Sequence, residues 1–146
     1  MTTIIEKKYY INLYRSSCLF LISFLYAVYR KHYAVSIAPG MIFITSVNYW
    51  RNPDYSWRLH VDRTVVRTAI LYQTIMAYNA EYAKPYYLVF TAALLYPLGQ
   101  YYFDKGDYWK YTYIQMTCHI LANVGNIILY SGCMNDCKQS IGICLI

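Results

Sequence analysis

The chain has 146 residues, room for one domain and no more. Hydrophobic residues make up 58% of it and charged residues 14%, against about a quarter charged in a soluble domain, which argues against an ordinary soluble enzyme. The net charge of +6 would point to nucleic acid only if it were clustered on one face. Lys and Arg instead punctuate apolar blocks, as beside anionic headgroups, so nucleic acid is not an expected partner.

The first apolar block runs from about Ser16 to Tyr29 and reaches back to Tyr9 if Arg15 snorkels. Lys7 and Lys8 precede it, but no small-x-small cleavage site follows, so it reads as a retained span rather than a cleaved signal. The second block, Ala34 to Trp50, contains Pro39-Gly40 and is read as a kinked span, with a re-entrant segment as the alternative. Arg51 to Arg63 is the most polar stretch and reads as a loop leading into a helix. Thr64 to Ala80 is the third block, and Tyr86 to Tyr102, with Pro97 and Gly99 near its end, is the fourth. Asp104-Lys105-Gly106-Asp107 makes a turn before the fifth and longest block, Tyr108 to Tyr130, which Ser131-Gly132 should close. The expected fold is therefore all-α, a single transmembrane helical domain over 1–146. Its spans lie near 9–29, 34–50, 64–80, 86–102 and 108–130, with a tail from 131 to 146. Four spans are the alternative. No block alternates with period two, which argues against a membrane β-barrel.

Thirteen aromatic residues fall at or near block ends: Tyr9, Tyr10, Tyr29, Tyr33, Tyr49, Trp50, Tyr86, Tyr87, Tyr101, Tyr102, Tyr108, Trp109 and Tyr130. Such placement predicts interfacial belts. With five spans, one side carries eight basic residues (Lys7, Lys8, Arg15, Arg51, Arg58, Arg63, Lys105, Lys110) and the other four (Arg30, Lys31, Lys84, Lys138). The positive-inside rule then favours a cytoplasmic N-terminus and an exoplasmic tail.

On the fifth block Gln115, His119, Asn123 and Asn126 are spaced four, four and three apart, so they share one helical face. Polar side chains at membrane depth are costly unless they face protein or water, so this stripe should point inward. It reads first as interhelical hydrogen bonding, and second as a substrate, ion or metal site. Asp62 opens the third block with Arg58 one turn before it and Arg63 beside it, which predicts a headgroup-level ion pair; Arg67 can snorkel outward, and His60 should be exposed. Of the five cysteines, Cys18 and Cys118 sit in apolar blocks. Cys133 and Cys137, with Cys144 beyond, lack the second paired half of a zinc site. A Cys133–Cys137 bridge and reduced or palmitoylated thiols are both open readings.

Ser46 shares a face with Trp50, Asp62 follows sixteen residues after the serine, and His119 lies on the last helix. This order resembles the CREST superfamily of membrane hydrolases, which includes alkaline ceramidases and adiponectin-receptor-like proteins. The resemblance implies a zinc site that activates water, with Ser46, Asp62 and His119 as catalytic candidates and His119 as a metal ligand. Trp50 and Asn123 stand where two ligand histidines belong, and neither indole nor amide replaces imidazole on zinc. The family also has seven spans. The resemblance thus implies a relative whose metal site is broken. The short, Tyr- and Ile-rich chain also resembles multi-pass proteins of unassigned role encoded by large DNA viruses that infect eukaryotes, which implies a host-cell membrane.

There is no Walker loop, G-x-S-x-G elbow, H-E-x-x-H or dinucleotide fingerprint in the chain. The expected role is that of a non-catalytic multi-pass membrane protein concerned with membrane structure or assembly, without cofactor. Its expected partners are the bilayer and either further copies of itself or another membrane protein. The alternatives are a degenerate metal-dependent lipid hydrolase and a small channel or carrier.

Overall fold

A computed structural model describes residues 3–134. Every regular element among them is helical, and the helices group into five rods. The first rod is α1 (Lys7–Ser17) followed by α2 (Leu19–Tyr29), joined through Cys18, whose N–H reaches back to the Arg15 carbonyl. The second is α3 (Tyr33–Trp50) and the third α4 (Trp57–Ala77). The fourth is α5 (Ala83–Phe90) and α6 (Leu95–Asp104) with a 3₁₀ turn over Thr91–Leu94 between them. The fifth is α7 (Tyr108–Ser131). One of these rods, Lys7–Tyr29, is long and apolar enough by length and composition to cross a membrane.

Three boundaries depart from the sequence reading for local reasons. The third helix starts at Trp57 rather than Thr64, because Ser56 caps it by accepting from the Arg58 N–H at 3.3 Å. The stretch read as loop is thus partly the first turns of α4. Second, α3 runs through Pro39 without ending. Proline cannot donate to the carbonyl four residues back, which is that of Val35. The Tyr130 hydroxyl donates to it instead, at 3.4 Å. Third, Gly132 ends α7 in an extended rather than left-handed conformation. Its lack of a side chain serves close packing, since a Cβ there would stand 2.8 Å from the Tyr82 ring. Beside it the Glu81 N–H donates to the Cys133 carbonyl and the Cys133 N–H to the Glu81 carboxylate, which ties the α4–α5 loop to the end of α7. The turn at 104–107 forms as expected, with Gly106 at φ 76° and Asp107 capping α7.

The first rod lies between α3 and α7, α4 packs on α3, and α5 and α6 pack on α7. The first rod and α7 are parallel: Tyr9 meets Tyr108 and Trp109 at one end, and Arg30 donates to the Ser131 carbonyl at the other. A cavity lies between α4 and α5–α7, with Phe20 of α2 and Ile42 and Ser46 of α3 on its remaining wall.

The aromatic belt divides in two. Tyr29, Tyr33, Tyr101 and Trp109 are exposed near rod ends, joined by Tyr55, Trp57 and Tyr78. Tyr9, Tyr49, Trp50, Tyr86 and Tyr130, assigned to the same belt by position, are buried core instead. A residue at a block end can still face a neighbouring rod, and block position alone does not resolve that choice.

Candidate functional site

Polar side chains meet at three places inside the bundle. Between α3 and α4, Asp62 Oδ1 accepts from Ser46 Oγ at 2.6 Å and from Thr45 Oγ1 at 3.0 Å. The Arg58–Asp62 ion pair expected from sequence is not formed, because Arg58 turns to Asp54 at 2.7 Å and to the Asn52 carbonyl at 2.8 Å. Asp54 also accepts from Ser56. The Ser56 hydroxyl, with Arg58 after it, holds the Asp54 carboxyl below the usual carboxylate range despite desolvation. His60 is exposed, as expected.

Between the first rod and α7, Ser16 Oγ lies 2.8 Å from His119 Nδ1 and 3.1 Å from the Leu13 carbonyl. One proton arrangement serves both contacts: Nδ1–H donates to Oγ, and Oγ–H donates to the carbonyl. Farther along the same seam, Ser23 Oγ donates to Asn123 Oδ1 at 2.5 Å, while Asn123 Nδ2 donates to the His119 carbonyl at 2.8 Å. The edge of the Phe20 ring packs against His119. Ser16 and Ser23 did not stand out in the sequence, although their spacing of seven puts them on one helical face.

The third place is a chain that the sequence reading missed. Gln73 Nε2 donates to the Tyr130 hydroxyl, which in turn donates to the Val35 carbonyl left open by Pro39. Both Gln73 and Tyr130 are buried. A polar residue in the middle of an apolar block was the available signal for Gln73. Tyr130 carried no signal, because it shares its type with so many tyrosines at block ends.

The α7 stripe therefore divides. His119 and Asn123 are bonded to the first rod, whereas Gln115, His119 and Asn126 line the cavity. Ser46 and Asp62 line it too, and Asn123 does not. The cavity holds about 300 Å³, is partly open, and has mostly apolar walls. Arg63 and Arg67 border it from α4; Arg67 thus faces the cavity rather than only leaving the bundle for an outer surface. The Gln115 Oε1 is buried without a hydrogen-bond partner among the described residues.

These residues do not fit a catalytic zinc. No cluster of three or more His, Cys, Asp or Glu is present among the described residues. Trp50 packs edge-on against Tyr49, the Asn123 amide is engaged with Ser23 and the His119 carbonyl, and Asp62 is engaged by two hydroxyls. Cys133 is disulfide-bonded, while Cys18 and Cys118 are free; Cys137 and Cys144 lie outside the described residues. Comparison with family models, with curated proteins and with solved structures returned no match.

Proposed function

We propose that the chain is a multi-pass integral membrane protein of five spans, non-catalytic, whose interior polar contacts set how its helices assemble. The observation that carries this reading is the pairing of outward-facing large apolar side chains with polar side chains buried between helices. Large apolar side chains face outward on all five rods: Ile22 and Leu25, Ile37 and Ile44, Leu71 and Ile75, Leu88 and Leu94, Ile120 and Val124. The buried set includes Ser16, Ser23, Ser46, Asp62, Gln73, His119, Asn123 and Asn126. A soluble monomer rarely exposes so many large apolar side chains on every one of its helical rods. In a bilayer the same surface is solvated by lipid, and polar groups serve as contacts between helices. Interior polar residues, among them Asp62, Arg67 and Gln73 on α4 and Gln115, His119, Asn123 and Asn126 on α7, make those rods less apolar than Lys7–Tyr29, and the tyrosine-rich rod ends suit headgroup depth.

The basic excess favours a cytoplasmic N-terminus, and the disulfide at Cys133 favours an oxidising compartment at the other end. The hydrolase reading has less support, because Ser46–Asp62 and Ser16–His119 are separate interhelical pairs and no group of metal-ligating side chains joins them among the described residues. A carrier reading draws on Gln115, His119 and Asn126 lining one cavity; liposome flux abolished by Gln115→Leu would favour it.

The decisive experiment is extraction of the full chain. Partition into the membrane fraction resistant to alkaline carbonate, with release only by detergent, is the expected result. A monodisperse protein in buffer without detergent would sink the proposal. Accessibility labelling of single cysteines placed at Tyr55 and Tyr78 should report opposite sides of the membrane.

A further inference from the structure

We infer that the central cavity is a binding site for a phosphate-headed amphiphile with a single hydrocarbon chain, held at the phosphate by Arg63 and Arg67. This rests on the membrane reading above. Arg63 and Arg67 are four residues apart and so share one face of α4, and both line the cavity. Among the described residues neither has a hydrogen-bonded or ion-paired acidic partner; the ion pairs are Lys8–Glu6, Arg58–Asp54 and Lys110–Asp107. Asp62, the nearest acid in sequence, is occupied by Ser46 and Thr45. Two guanidinium groups and one carboxylate, that of Asp62 within electrostatic reach of Arg63, border a mostly apolar cavity, and the net positive charge left over calls for an anion attached to something apolar. Guanidinium forks suit phosphate, which accepts two parallel hydrogen bonds.

Three further observations favour this occupant. A second, smaller cavity of about 230 Å³ shares Tyr49, Trp50, Arg63 and Tyr111 with the first, so Arg63 stands at the junction of two compartments. Gln115 adds a buried carbonyl oxygen without a partner on the wall facing α4, as a headgroup hydroxyl would require. Arg63 also lies in the half of α4 nearer the end of the bundle that carries most of the Lys and Arg, the side that the charge count favours as cytoplasmic, and Arg67 lies one turn deeper. At about 300 Å³ the main cavity is at the lower end of the range for ligand pockets, which fits one chain better than two.

The test uses the full chain in a neutral detergent, with a long-chain alkylglycerol phosphate as the probe. The same alkylglycerol without phosphate and inorganic phosphate alone are the comparisons. The alkylglycerol phosphate should raise the melting temperature saturably, and both comparisons should leave it unchanged. The double variant Arg63→Gln/Arg67→Gln should melt at the wild-type temperature without ligand and bind the probe at least tenfold more weakly. Ala93→Phe, which fills the apolar wall, should also weaken binding while retaining both arginines. An equal shift from the neutral alkylglycerol, an equal shift from inorganic phosphate, or undiminished binding by the double variant would overturn the site. If the protein needs detergent yet ignores the probe, the lipid site fails and the membrane reading stands. If it is monodisperse without detergent, the membrane reading fails first.

Discussion

The two flanks of the bundle use polar residues in opposite ways. Along the seam between the first rod and α7, each polar side chain finds a protein partner: Ser16 with His119, Ser23 with Asn123, and Arg30 with the Ser131 carbonyl. Across the cleft between α4 and α7, Arg63, Arg67 and Gln115 border open space. The seam is closed because small serines let the helices approach, and each hydroxyl can also bond its own helix. The cleft is bordered by the long, exposed side chains of Arg63 and Arg67 on α4, with Asp62 beside them, and α4 reaches α5 and α7 through Tyr87–Thr74 and Gln73–Tyr130. Polar residues inside one bundle therefore bond one another on one flank and border a cavity on the other.

The largest effects should come from packing. Leu13 is fully buried in the seam region, and Leu13→Ala should cost about 2 to 5 kcal/mol of stability. Ile70→Ala, on the cavity wall, should cost well under half of that because one side of Ile70 already lacks neighbours. Thermal melts in one detergent compare the two, and equal losses would show that the cleft is packed as tightly as the seam.

A smaller effect is expected from Asn123→Leu. It removes the bond to Ser23 and should cost about 0.6 to 2 kcal/mol, the usual range for interhelical contacts in membranes. Ser23→Ala in the same background should add almost nothing, since the pair is already broken. A double-mutant cycle with no coupling would mean that the seam depends on shape alone.

The smallest effect concerns the α3–α4 loop. Asp54 has its pKa depressed, chiefly by Ser56, so its stabilising contribution is present above the unfolded-state value and is lost as pH falls through the lower folded-state value. Protease susceptibility of the 51–56 loop should therefore rise as the solution is acidified below about pH 4, the ordinary Asp range. Asp54→Asn should be more susceptible already at neutral pH and change less with acid. A variant with the wild-type acid profile would remove Asp54 from the account.

Much of the helix layout was legible along the chain. The five apolar blocks correspond to the five rods, because local hydrophobic runs and turn residues such as Gly106 act within a few positions of themselves. The shared face of His119, Asn123 and Asn126 was also legible, because helical periodicity is local. The start of α4 was misplaced because a capping serine followed by charged residues looks like a loop when apolar onset is used as the marker. Pairings across the bundle were beyond local reading: Asp62 with Ser46 rather than Arg58, Tyr130 with the carbonyl that Pro39 leaves open, and buried Tyr9 and Tyr86 where exposed belt residues were expected.

The chain by itself determined that it is helical, roughly where its rods lie, and which face of α7 is polar, since each follows from spacing within a single segment. Only the tertiary structure decided which polar faces meet and which stay apart. A serine reaching an asparagine a hundred residues away depends on how the rods pack, and that is settled over the whole bundle rather than within any one block.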